Sequence, residues 1–175
     1  CLVISDQQEV ISVEASLRES EQRYRELLEF APVGIAVYSE GRIVFTNPAG
    51  AHLLGADSDE LIAGKPITDI THPSRLESSQ SRMRRMMAGE QGLYPAEEIY
   101  LRLDGTPVNV EVMATLLPYK GKTAVQVILT DITARKRAEA ERELLISAIE
   151  QTGEIVIITD AEGIIQYVNP AFVTT

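Results

Sequence analysis

Cysteine is almost missing from this chain of 175 residues: the only one is Cys1. A lone thiol makes no intramolecular disulfide, no thiolate metal cluster and no redox pair, and it leaves the redox compartment open. Histidine is nearly as scarce, with only His52 and His72. No metal-spaced His/Cys/Asp cluster exists, nor a convergent nucleophile, base and orienter, nor a phosphate loop, so the segment reads as non-catalytic and metal-free. The acidic run Asp57, Asp59 and Glu60 lacks the ligand spacing of a calcium loop and reads as a solvated helix start. Positive charge is in deficit, with 16 Lys and Arg against 26 Asp and Glu and a net charge of −10. Phosphates are repelled by such a balance, which argues against nucleic acid as a partner. The one basic cluster, Arg82, Arg84 and Arg85, shares a predicted helix with Arg75, Met83, Met86 and Met87 and reads as a solvated face. No run approaches about eighteen consecutive apolar residues, and no basic stretch precedes an apolar one at the N-terminus. Neither a membrane contact nor a secretory signal is expected of this segment, which reads as cytoplasmic, with a membrane anchor elsewhere in a longer protein left open.

What is present is ordinary for a soluble globular chain, 45% hydrophobic and 24% charged. One pattern occurs twice. Gly41-Arg42-Ile43-Val44-Phe45-Thr46-Asn47-Pro48-Ala49 returns as Gly163-Ile164-Ile165-Gln166-Tyr167-Val168-Asn169-Pro170-Ala171. The match runs back through Glu29 to Val37 against Glu150 to Ile158, with one extra residue near Ala161. Each copy reads as a hairpin followed by a helix, with glycine in the turn and Asn-Pro supplying a cap and a fixed φ at the helix start. A period of about 120 residues suits tandem domains rather than a solenoid. The second copy holds too few residues to enclose a core, so the chain reads as a piece of a longer protein. Its apolar segments, Ile155 to Ile158 and Ile164 to Val168, are expected to pair with the same segment of a second chain or with a neighbouring sheet.

The first thirty residues are predicted to be helical. Val3, Val10, Val13, Leu17, Tyr24 and Leu27 fall on one heptad seam, with Ser20 its weak position and Glu14/Arg18, Glu19/Arg23 and Glu21/Arg25 as i,i+4 pairs. The seam begins well before the domain, which favours self-association over packing on the domain's own sheet. A second helix is predicted from Ala134 to about Gln151, with Ala138, Leu145 and Ala148 in heptad positions and Leu144, Ile146 and Ile149 broadening the stripe.

Between the two, strands alternate with short helices. Helices are predicted over Asn47 to Leu54, Asp57 to Leu61 with Asp57 or Ser58 as cap, and Pro73 to Met87 starting near Thr71 or His72. Glu97 to Leu103 leads through Asp104-Gly105 into Pro107 to Leu117, and Lys120-Gly121-Lys122 turns the chain into Thr123 to Asp131. In the middle strand Val108, Val110, Val112, Ala114 and Leu116 share a core face, opposed by Asn109, Glu111, Met113 and Thr115. The expected fold is α+β: a five-stranded antiparallel sheet, order β-β-α-α-α-β-β-β, with short helices on one face and amphipathic helices at both ends.

Glu29-Phe30-Ala31-Pro32-Val33-Gly34-Ile35, Gly41-Arg42-Ile43 through Asn47-Pro48-Ala49, Leu53-Leu54-Gly55, Thr71-His72-Pro73, Asp104-Gly105-Thr106 and Asp131-Ile132-Thr133 together resemble a PAS sensor domain (PAS/PAC) over roughly residues 22–133. The second copy resembles the start of another. Boundaries follow as residues 1–22 for the leading helix, 23–133 for the PAS domain, 134–150 for a helical linker and 151–175 for the second PAS start. The resemblance implies a sensory module that binds a small ligand or a partner and passes a conformational change onward. The helices would pair in parallel in a homodimer, and the output would be a histidine kinase of a two-component system. A ligand-free relay spacer, or a module of a diguanylate cyclase, is the alternative.

Asp131, Ile132 and Thr133 would couple the last strand to the outgoing helix, with Asp131 or Thr133 as its cap. A flavin–cysteinyl adduct is excluded, since no Asn-Cys-Arg run exists. Haem is disfavoured: the helix Pro73 to Met87 has no histidine, and His72 reads as a cap or turn residue and His52 as a half-exposed or core-satisfied imidazole. Tyr38, Phe45, Asn47, Tyr100, Met113 and Gln126 are candidate lining for a ligand between sheet and helices, although Asn47 reads first as a helix cap. Arg102 is a further polar candidate, but it alternates with Leu101 and Leu103, which puts it on the solvent side if those leucines point inward. The ligand itself stays unknown.

Overall fold

Two-residue turns organise the sheet. At Glu40 and Gly41 the backbone takes φ of 53° and 76°, the left-handed pair that matches the twist of a tight hairpin. They join β1 (Gly34–Ser39) to β2 (Arg42–Thr46) with Ser39 opposite Arg42. The computed structural model describes residues 2–92 and 94–172, with side chains from residue 14 onward. The side chains of Val3, Val10 and Val13, and all of Thr174, lie outside the described residues.

The leading helix α1 spans Leu2–Glu29. After β2 come α2 (Pro48–Leu53), a 3-10 turn (Asp59–Leu61), α3 (Ile67–Ile70) and α4 (Pro73–Met87). Three strands follow, β3 (Ala96–Leu101), β4 (Pro107–Tyr119) and β5 (Lys122–Asp131), and then α5 (Thr133–Gln151). The five strands form one antiparallel sheet in the order β2-β1-β5-β4-β3. This is the α+β architecture expected. The sequence reading missed α3, a single turn without a side-chain cap, and read as a helix the Asp59–Leu61 turn, where Ser58 makes no capping hydrogen bond.

One face of the sheet carries the core. Ala36, Tyr38, Tyr100, Val108, Val110, Val112, Val125, Val127 and Leu129 are buried there with Ile43, Leu54, Ile62, Ile70 and Met86. The alternation expected of β4 holds in its first half, with Val108, Val110 and Val112 inward and Asn109, Glu111 and Met113 opposite, but the expected core face does not extend to its far end, where Ala114 is only half-buried and Leu116 is exposed. Gly34, at the start of β1, faces Leu129, near the end of β5.

The chain divides between Ile132 and Thr133 into two compact units. The second holds α5 and a hairpin, β6 (Ile157–Thr159) with β7 (Ile165–Val168). Ile155, Ile157, Ile158, Ile164 and Ile165 are exposed on it. Among the described residues no helix is long and apolar enough to cross a membrane.

Candidate functional site

Asn47 has the backbone of a helix N-cap, φ −83° and ψ 169°, just before Pro48. Its Oδ1 accepts from the Gly50 N–H at 2.9 Å, as capping requires, and from the Ile35 N–H at 2.7 Å. Its Nδ2 donates to the carbonyls of Leu28, in α1, and Val33, each at 3.0 Å. The side chain is 1% exposed, and all four of its hydrogen-bonding positions are occupied, so burial leaves no polar atom unpaired. One amide therefore fastens the end of α1, the start of β1 and the start of α2.

The repeat reproduces this node. Asn169 accepts from the Val156 N–H at 2.8 Å and donates to the carbonyls of Ile149, in α5, and Glu154 at 3.1 and 2.9 Å. Each copy of the repeat thus holds, by the same side chain, the last turn of the helix that leads into it.

The seat of α2 is tight. A β-carbon on Gly34 would lie 3.0 Å from the Gly50 Cα, and one on Gly50 would overlap the Thr46 hydroxyl. The corresponding positions of the second copy are Ile155 and Phe172. At the other end of α2, Arg102 Nε donates to the Leu53 carbonyl at 3.1 Å and Leu103 N–H to the Leu54 carbonyl at 2.9 Å. A guanidinium at a helix C-terminus also complements the partial negative charge there. The same guanidinium lies 3.6 Å from the Asp131 carboxylate, an ion pair longer than a hydrogen bond. Arg102 accordingly turns toward α2, and its expected placement on the solvent side is corrected. The premise failed: Leu103 is exposed and Leu101 only half-buried, while Tyr100 is the inward residue that sets the parity.

Under α4, the inward face of β3 holds a polar cluster. Glu98 is 3% exposed and pairs with Arg82 of α4. Tyr38 and Tyr100 lie buried on the same face, and burial pushes both phenols above their ordinary range. Tyr94, half-buried, is raised for the same reason, with Arg82 opposing the shift. Arg82 is therefore not part of a solvated basic face. Arg84 is exposed, and Arg85 pairs with Glu90, holding that carboxyl below the usual range.

The sheet divides the candidate ligand residues. Tyr38 and Tyr100 point into the core and Asn47 is the node. Phe45, opposite Val37, and Gln126, opposite Val37 and Thr115, stand on the other face with Met113 and Ile128. Met113 is 46% exposed there. Glu98 was missed and Arg82 was assigned to the solvated face, although Glu98 shares the parity of Tyr100 and Arg82 stands one turn before Met86. His72 is the N-cap of α4, its Nδ1 accepting from the Ser74 N–H at 3.2 Å, and His52 is exposed. Among the described residues no three His, Cys, Asp or Glu side chains converge as a metal site.

At the end of β5, Asp131 is partly exposed and Ile132 buried, its N–H donating to the Asn109 carbonyl at 2.9 Å. Thr133 opens α5. On the described part of α1, Leu17, Tyr24 and Leu27 are exposed.

The PAS domain family model matches residues 32–134, more than half of the chain, and a second PAS domain model matches residues 143–175. The chain belongs to the PAS domain family. Sporulation kinase A of Bacillus subtilis (strain 168) is 36% identical over 115 residues, which cover 65% of this chain and 19% of that protein. Protein CrtJ of Rhodobacter capsulatus is 31% identical over 158 residues, covering 89% of this chain and 33% of that protein. The chain thus spans between about a fifth and a third of the length of these curated relatives. The crystal structure of the PAS domain of an HTR-like protein from Haloarcula marismortui superposes with a TM-score of 0.54 at 24% identity, covering 69% of this chain and 98% of that one. That PAS likeness carries the fold. The Asn47 node, the polar cluster and the Arg102 contacts are read from this chain.

Proposed function

We propose that this PAS module is a relay segment of a cytoplasmic sensor histidine kinase, acting as a homodimer through its flanking helices. A displacement of α1 would reach the PAS core and continue through α5 into the second PAS domain. The observation that carries this reading is the repeated asparagine node, which ties the hairpin of each copy to the last turn of the helix leading into it. A helix so fastened cannot shift without drawing on the sheet and α2, because close-packed elements transmit displacement rather than absorb it. Kinship with Sporulation kinase A supports the output class. The exposed seam of Leu17, Tyr24 and Leu27 and the exposed Leu144 and Leu145 supply surfaces for helix pairing. Relay is favoured over capture of a small ligand because Tyr38, Tyr100, Arg82 and Glu98 fill the inward face of the sheet beneath α4.

The test fuses the chain to a histidine-kinase core and lengthens α5 after Ala140. A single-residue insertion rotates the downstream helix by roughly a quarter turn and should disturb autophosphorylation, whereas a whole heptad should restore it. Indifference to insertion length, or a monomer mass by light scattering at tens of micromolar, would reject the relay dimer. Native mass spectrometry showing a defined mass retained by the purified chain would favour ligand capture instead.

A further inference from the structure

We propose that α2 is the bar through which the leading helix is coupled to the start of α5, with Asn47 and Arg102 as its two positioning residues. The inference rests on the relay reading and names its route. At one end of this six-residue helix, Asn47 caps the first turn and grips the Leu28 carbonyl of α1. At the other, Arg102 donates to the Leu53 carbonyl and faces Asp131, which stands two residues before α5. Between the ends α2 lies against β1 at Gly34 and Gly50 without room for a β-carbon. Close contact of backbone with backbone leaves no side chain to yield, so a shift imposed at Leu28 moves α2 as a body. That motion changes the separation of Arg102 from Leu53 and therefore the hold of its guanidinium on Asp131. The coupling is carried by hydrogen bonds and one ion pair, which break and re-form over distances much smaller than a strand spacing.

Two substitutions separate the ends of the bar. Asn47→Asp keeps the Oδ1 that accepts from Ile35 and Gly50 and removes both N–H donors to Leu28 and Val33. Arg102→Lys keeps positive charge near Asp131 and removes the Nε–H donated to Leu53. The readout is amide hydrogen exchange of the whole chain. Each variant is expected to speed exchange of the Ile132 amide and of the α5 turn 137–140 by about fivefold, the size of one lost hydrogen bond, while Val108, Val110 and Val127 stay protected. In the Arg102→Lys background, Asn47→Asp should add nothing at α5, a non-additivity that independent structural damage does not produce. An Asn47→Asp effect confined to the Phe30 amide and β1 overturns the proposal. If Asn47→Asp instead unfolds the domain, seen as joint exchange of all core amides, Arg102→Lys alone decides, and unchanged exchange at Ile132 and in α5 rejects the bar. A fused kinase that responds to heptad shifts in α5 while Asn47→Asp leaves Ile132 unaltered would retain the relay and discard α2 as its route.

Discussion

Gly50 lies so close to Thr46 that any β-carbon on the glycine would meet the threonine hydroxyl. Gly50→Ala should destabilise the domain by about 2 kcal/mol, within the range of overpacking, despite the better helix propensity of alanine. Removing the obstacle with Thr46→Ala should recover most of that loss in the double variant. Urea denaturation of the four proteins measures the coupling, and simple additivity would show that the two residues do not collide.

Asn47 and His72 both cap helices, yet one is buried among four hydrogen bonds and the other caps from a half-exposed position. His72→Ala is expected to cost about 1 kcal/mol, the ordinary loss of a cap. Asn47→Ala strands buried backbone donors and acceptors and should cost about 3 kcal/mol or more. Equal losses in chemical denaturation would reduce Asn47 to a cap.

The Arg82–Glu98 pair should matter far more when halved than when replaced. Glu98→Ala leaves a poorly solvated guanidinium without its counter-charge and is expected to lose about 3 kcal/mol. The double variant Arg82→Met, Glu98→Leu should fall within about 1 kcal/mol of the parent, because it removes both desolvated charges together. A double variant as unstable as Glu98→Ala would mean that the pair specifies the packing of α4.

Alkaline pH should unfold the domain through its interior phenols. Burial raises Tyr38 and Tyr100 above the unfolded tyrosine value of about 10, so their contribution is complete below that pH and is lost as pH rises past it. The melting temperature should hold steady from about pH 7 to 9 and drop beyond about 10, and Tyr38→Phe should soften the drop. A decline in both Tyr38→Phe and Tyr100→Phe as steep as that of the parent would place the sensitivity in other groups.

Much of the fold was legible because periodicity and turn chemistry agree locally. The alternation of Val108, Val110 and Val112 identified the buried face of β4, and Glu40-Gly41 announced its hairpin. Asn47 was legible as a cap from Asn-Pro alone, but its grip on Leu28 joins residues far apart in sequence, and no local pattern encodes such a contact. Arg102 was misread because the parity of β3 was taken from Leu101 and Leu103, which the strand does not bury. Glu98 escaped notice and Arg82 was read as part of a solvated face since each, alone, looks like a surface charge, and only the pairing across α4 and β3 admits them to the interior. The candidate ligand set split for a related reason: aromatic and polar residues were chosen by type, while the pleat sends Phe45, Met113 and Gln126 to one face and Tyr38 and Tyr100 to the other.

The first and last strands of the sheet are hydrogen-bonded neighbours, with Gly34 beside Leu129. A domain built that way receives and releases its chain through adjoining doors. It can be spliced into a helical rod, copied or lost without re-routing the rest of the polypeptide, since insertion demands only that the two cut ends lie near each other. The second Asn-Pro-Ala, with its own clasp on the helix before it, sets the same arrangement down again further along this chain.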